Sequence, residues 1–181
     1  MLTPQLQTTS LPVKEESMLQ RNVLGIAVCT GLLFLGGVFS VAAQSPTKVP
    51  SYRYNLMGES IGLVGYDPVS YFIEGGGRPQ KGLFKLSFEY DGVIYRFATQ
   101  ENLDLFKATP TKYLPQYGGW CTYSLGALNV RADIDPECYV VRDGKLYLFY
   151  RDPALDTREL WLKDSESLLQ KAKANWPKLS K

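Results

Sequence analysis

The chain contains no histidine among its 181 residues, and this absence removes more chemistry than any single motif adds. Without an imidazole there is no Ser–His or Cys–His pair, no histidine metal ligand, and no side chain whose ordinary charge change falls near neutrality. An excess of one charge is missing too. The 20 Lys and Arg against 18 Asp and Glu leave a formal net charge of +2, and the basic residues are scattered, so nucleic-acid and polybasic membrane binding are set aside. Three cysteines are too few for a disulfide-stapled miniprotein. With 45% hydrophobic and 21% charged residues, the composition is that of an ordinary folded domain, and it identifies no reaction.

The one long apolar run, Asn22–Ala43, carries no charge, follows Arg21 and closes on Val41-Ala42-Ala43, which is the layout of an export signal. The residues before Met18 are polar and include Pro4, Pro12, Glu15 and Glu16, so a start at Met18 gives a more conventional short basic region. Residues 1–43 are therefore read as leader and signal peptide, with cleavage expected after Ala43. At about 1.5 Å per residue the run is also long enough to cross a bilayer, and an uncleaved anchor is the alternative, the one case in which the protein is membrane-bound. Both readings place the rest of the chain outside the cytoplasm, in a periplasm, a lumen or the extracellular space. Taking 43 residues from 181 leaves 138, the length of one compact domain. That part keeps Cys121 and Cys138, in a compartment that permits disulfides.

Residues 44–60, with Pro46 and Pro50, read as a linker, and 61–181 as the domain. In Phe84–Tyr90 apolar and polar residues alternate, Asp91-Gly92 supplies a two-residue turn, and Val93, Tyr95 and Phe97 resume the apolar phase. That pattern pairs Tyr90 with Val93, Phe88 with Tyr95 and Leu86 with Phe97. Asp143-Gly144 makes a second hairpin, pairing Val141 with Leu146, Val140 with Tyr147, Tyr139 with Leu148 and Cys138 with Phe149. Its apolar residues on both faces mark it as the more buried of the two. The likeness of the hairpins is read as shared turn chemistry, not as a repeat. Thr99 caps a helix running to Lys107, Pro110 ends it, and a short turn carries Tyr113. From about Leu155 to Trp176 a helix places Trp161, Leu168, Leu169, Ala172 and Trp176 on one stripe. The expected fold class is α+β: two antiparallel β-hairpins with short central helices and a C-terminal helix packed on the sheet.

Several stretches resemble the YHS domain family, in particular its exported branch of YHS domain-containing (seleno)proteins. They are Gly65-Tyr66-Asp67-Pro68-Val69-Ser70-Tyr71-Phe72, the first hairpin from Tyr90 to Ala98, Asn102–Phe106, Pro110–Cys121, Asp143–Leu148 and Ala174–Leu179. The likeness covers roughly Ile61–Leu179. Metal-linked members of the family place cysteines at positions that fall here on Ser70, Ala98 and Asn102, so all three sulfur ligands are absent and no cofactor or metal is expected. A copper-type site rebuilt from other groups stays an alternative. Asp133, Asp135 and Glu137, at alternate positions, are its carboxylates, although a solvated loop before the second hairpin is the preferred explanation of them.

The resemblance further implies that Cys121 is a reactive thiol, because selenocysteine stands at the matching position in some relatives. Cys121 follows Gly118-Gly119 and is flanked by Tyr117, Trp120 and Tyr123, which makes these five residues the candidate binding set around a candidate catalytic thiol. Two other readings stay open: Cys121 is an inert core residue, or it is bridged to Cys138. The aromatics Tyr66, Tyr71, Tyr113, Tyr117, Trp120 and Tyr123 line either a cleft or simply the core and its rim. Asp67, before Pro68, reads as a turn residue capping backbone amides. The functional expectation is an exported accessory protein, a binding or thiol-redox module acting through Cys121 on an unidentified protein or small molecule. The alternative is a purely structural or interaction module. With no base beside a nucleophile, an enzyme is the weakest reading.

Overall fold

The computed structural model describes residues 52–58 and 60–181. The residues expected to form the leader and export signal, with Met18 and Cys29, and the first part of the expected linker lie outside the described residues. Among the described residues no helix is long and apolar enough to cross a membrane.

The chain is an α+β protein. A four-stranded sheet has the order β1-β2-β4-β3, formed by β1 (Leu56–Met57), β2 (Ile61–Gly62), β3 (Leu83–Tyr90) and β4 (Val93–Phe97). Two short helices follow, α1 (Gln100–Ala108) and α2 (Pro110–Tyr113). A second hairpin joins β5 (Asp135–Arg142) to β6 (Lys145–Phe149), and a small one joins β7 (Arg151–Asp152) to β8 (Leu155–Asp156). Helices α3 (Thr157–Leu162) and α4 (Ser165–Leu179) complete the chain.

Part of the expected linker belongs to the sheet. Leu56 and Met57 pair with Gly62 and Ile61, and the Asn55 N–H donates to the Gly118 carbonyl at 2.9 Å. The prolines that suggested a linker, Pro46 and Pro50, precede this strand in the sequence.

Both Asp-Gly turns form, with both central residues left-handed: φ is 51° and 74° at Asp91 and Gly92, and 52° and 68° at Asp143 and Gly144. That conformation matches the twist of the strands and demands residues that tolerate positive φ. Tyr90–Val93, Phe88–Tyr95, Val141–Leu146, Val140–Tyr147 and Tyr139–Leu148 pair as expected. The outermost pairs do not. Phe97 stands opposite Leu83 instead of Leu86, and Phe149 opposite Asp135 instead of Cys138. In each case a bulge intervenes, held by a side chain that bonds its own strand. The Ser87 hydroxyl donates to the Phe84 carbonyl at 2.7 Å, and the Glu137 N–H donates to Asp135 Oδ1 at 2.9 Å. Such local bonds compete with the ladder and divert the strand.

The likeness of the hairpins goes beyond turn chemistry, which corrects the reading from sequence. Each is preceded by a left-handed three-residue turn: φ is 53°, 54° and 82° over Leu63-Val64-Gly65, and 55°, 61° and 85° over Tyr117-Gly118-Gly119. The next residue closes the turn, Tyr66 N–H on Leu63 O at 2.9 Å and Trp120 N–H on Tyr117 O at 3.2 Å. The residue after that bonds the strand approach, Asp67 N–H to Gln80 O at 2.8 Å and Cys121 N–H to Ala132 O at 3.0 Å. Gln80 and Ala132 both lie eleven positions before the aspartate of their hairpin turn. The domain is therefore built twice from one arrangement, with Asp67 and Cys121 at equivalent places.

One core joins the two hairpins: Val93, Tyr95, Phe97 and Phe106 cluster with Leu146 and Leu148. A second holds Cys138, Tyr147, Phe149, Trp161 and Leu168. Thr99 caps α1 as expected, accepting the Asn102 N–H at 3.1 Å, and Pro110 begins the one-turn helix that carries Tyr113. The expected C-terminal helix is broken in two, and Leu155 belongs to a strand. Asp152 Oδ1 accepts the N–H groups of Ala154 and Leu155, both at 2.8 Å, which turns the chain before Asp156 caps α3. Trp161, Leu168 and Ala172 are buried, whereas Leu169 and Trp176 are only half-buried at the rim. A one-turn π-helix, Ser124–Leu128, receives α4, and a Cβ on its Gly126 would stand 2.4 Å from the Leu168 carbonyl oxygen.

Candidate functional site

Asp67 is fully buried and accepts four hydrogen bonds. Oδ1 takes the N–H groups of Val69 at 2.8 Å and Ser70 at 3.3 Å, the capping expected of it. Oδ2 takes the Ala98 N–H at 2.8 Å and Asn102 Nδ2 at 2.7 Å, which ties the turn to the end of β4 and the first turn of α1. Ser70, and the pair Ala98 and Asn102 some way along the chain, thus meet on one carboxylate. None of them offers a soft-metal ligand. The Ser70 hydroxyl donates to the Asp67 carbonyl at 2.7 Å and accepts the Gln80 N–H at 3.0 Å, and Asn102 presents donors. The residues present do not fit a thiolate-bound metal.

Cys121 mirrors this arrangement with sulfur. Its Sγ accepts the Tyr150 N–H at 3.3 Å, and Tyr150 follows β6 as Ala98 follows β4. Sγ also lies 3.5 Å from Thr157 Oγ1 in the first turn of α3. The Thr157 hydroxyl already donates to the Tyr150 carbonyl at 2.7 Å, so the thiol is the donor in the S–O contact. Cys121 is 0% exposed, and as a neutral thiol it has both its donor and its acceptor capacity in use.

Cys138 is also 0% exposed, and its S–H donates to Asp156 Oδ1 at 3.2 Å. Burial first, then the hydrogen bond and charge of Asp156, push this thiol up to about 12. Burial alone would raise Asp156 too, but its bonds from Cys138 and from Arg158, whose N–H and guanidinium reach it at 2.9 and 3.0 Å, hold the carboxyl below its usual range. Both cysteines are free. The candidate Cys121–Cys138 bridge is therefore not formed, and the two thiols are bonded instead to the neighbouring residues Asp156 and Thr157.

The candidate binding set divides. Tyr117, in the left-handed turn, is half-buried and packs edge-on against Trp176 with ring centroids 6.0 Å apart. Gly118 permits the closest approach in the region, since a Cβ there would stand 2.0 Å from the Arg53 carbonyl oxygen. Gly119 accepts Asn55 Nδ2 at 3.3 Å. Trp120 is covered by the Arg131 guanidinium, 5.5 Å from its ring, and Tyr123 packs on the second core. Only Gly118 lines the nearby shallow cleft, about 190 Å³, whose other walls are Arg53, Tyr54, Leu114, Pro115 and Trp176. The aromatics form core and rim rather than a common cleft: Tyr71 and Tyr113 are buried, and the Tyr66 hydroxyl donates to Glu137 at 3.1 Å.

Asp135 and Glu137 face Arg151, at 2.8 and 3.8 Å, which occupies the charge a cation would have met. Among the described residues no group of three or more Cys, Asp or Glu is placed to hold a metal. Reading the sequence missed Arg53 and Asp156. The signal for Asp156 was available, because Asp before Thr-Arg-Glu is a helix-capping pattern.

Compared with known proteins, the chain matches no family model, no curated protein and no solved structure.

Proposed function

We propose that this chain is an exported, YHS-like interaction module whose cysteines hold the fold together rather than react. One observation carries the reading: Cys121 stands where Asp67 stands in the other half of the domain and likewise ties a strand end to a helix start, accepting the Tyr150 N–H and donating its S–H to the Thr157 hydroxyl where Asp67 accepts from both sides. A nucleophilic or exchanging thiol needs an approach path and a stabilised thiolate. Cys121 is sealed from solvent with its S–H engaged, and the neighbouring Cys138 is held protonated. The resemblance to the YHS family is supported by the meeting of Ser70, Ala98 and Asn102 on Asp67, the three positions where that resemblance puts ligands.

The competing reading, a thiol-redox module acting through Cys121, makes a different forecast for disulfide exchange. Incubated at neutral pH with glutathione disulfide, the full chain is expected to form no mixed disulfide at Cys121 or Cys138 and no bridge between them. Glutathione on Cys121 within minutes, with the fold intact, would transfer the function to the thiol.

A further inference from the structure

We infer that the outer edge of the first hairpin, around Phe84 and Arg96, is a docking surface for an acidic, strand-forming segment of a partner protein. This rests on the interaction-module reading and names the surface such a module would use. Phe84 is 82% exposed, and Leu83 beside it 45%. Covering this pair on binding would remove apolar surface from water. The Arg96 guanidinium lies under that ring, 5.4 Å from its centroid, and its Nε is buried with no hydrogen-bond partner.

The charges nearest the patch are basic, with Glu74 and Glu89 lying just beyond them in sequence. The stretch Gly75–Phe88 contains Arg78, Lys81 and Lys85, all exposed, and no acidic residue. Among the described residues none of the three, nor Arg96, takes part in an ion pair. The partner chemistry that fits is a carboxylate beside an apolar side chain. Strand β3 is moreover the edge of its sheet, and an edge strand leaves a row of backbone groups that an extended segment can pair.

The other half of the domain shows what belongs there. Pro136 occupies in the second bulge the place of Phe84 in the first, both seven positions before the turn aspartate. That bulge is covered by protein groups: the Tyr71 hydroxyl donates to the Pro136 carbonyl at 2.9 Å, and the Tyr66 hydroxyl to Glu137. In the first bulge the Phe84 carbonyl is met by the hydroxyl of Ser87 on its own strand, and the Phe84 side chain, resting on Arg96, stays exposed. Its cover by a polypeptide, rather than by a lipid surface, follows from the free edge and from this internal precedent.

The test uses the full chain, isotope-labelled, titrated with a synthetic peptide that alternates glutamate and valine around one phenylalanine. The amide resonances of Leu83–Tyr90 are expected to shift, with the apparent affinity falling at least tenfold between low and moderate salt. Phe84→Ser and Lys85→Glu, both on the surface, should each weaken binding at least fivefold, and Arg96→Gln likewise. Equal binding of a peptide with lysine in place of glutamate would overturn the proposal. So would shifts confined to the Arg53–Trp176 cleft, or attachment to anionic vesicles in place of the peptide. If the thiols prove unreactive while the peptide fails, the docking surface falls and the interaction-module reading stands.

Discussion

Cys121 and Asp67 are counterparts. Each follows a left-handed turn and an aromatic residue, each is fully buried, and each accepts the N–H of the residue that follows its hairpin. A carboxylate does in one half what a thiol does in the other, with four bonds against two contacts. The difference in acceptor strength gives unequal expectations for their removal.

Asp67→Ala should lower stability by more than about 3 kcal/mol, because four donors, three of them buried, lose their acceptor at once. Urea unfolding monitored by tryptophan fluorescence measures it. A loss under about 1 kcal/mol would mean that water or neighbouring groups take over those donors.

Cys121→Ala should cost about 1–3 kcal/mol by leaving the Tyr150 N–H without an acceptor, while Cys121→Ser, which keeps a donor and an acceptor, should cost less. The order of the two variants in the same unfolding experiment is the check. Serine costing more than alanine would contradict a hydrogen-bonding role.

The two tryptophans of the C-terminal helices should separate. Trp161, 1% exposed between Tyr147 and Phe149, should lose about 3–5 kcal/mol on truncation to alanine. Trp176 is half-buried and touches Tyr117 edge-on, so its truncation should cost less than about 2 kcal/mol.

The pH dependence has a defined sign. Cys138 is raised from 9.0 to about 12 in the folded chain, so the unfolded chain gives up this proton first as pH rises. The stability due to the neutral thiol is complete below about 9 and is lost progressively toward 12. Tyr54, also raised to about 12, acts in the same direction, so the Cys138 share is read by difference. Unfolding midpoints between pH 8 and 11 should fall less steeply in Cys138→Ala than in the parent. Parallel slopes would contradict the assignment.

Much of the fold is legible in the sequence because its signals are local. Asp-Gly pairs fix both hairpin turns and the first pairs on either side of them, Thr99 caps α1, and Asp67 caps its own turn. The bulges are not legible, since alternation continues through Leu86 and Cys138 and only the bonds of Ser87 and Asp135 end the ladder early. The break at Leu155 is hidden in the same way, by a turn that Asp152 builds inside an otherwise helical pattern. At the site, the sequence draws attention to Cys121 but not to its burial, because that depends on Tyr150 and Thr157, 29 and 36 positions away. The equivalence with Asp67 is invisible for a chemical reason: aspartate and cysteine share no pattern, only the capacity to accept a backbone N–H.

The most direct measurement is site-resolved alkylation of the full chain with iodoacetamide at neutral pH, followed by peptide mass spectrometry, in native buffer and in denaturant. Cys121 and Cys138 are expected to stay unmodified in native buffer over hours and to react within minutes once the chain is unfolded. Rapid modification of Cys121 in the folded protein, at a rate near that of the denatured chain, would contradict the structural role assigned to it.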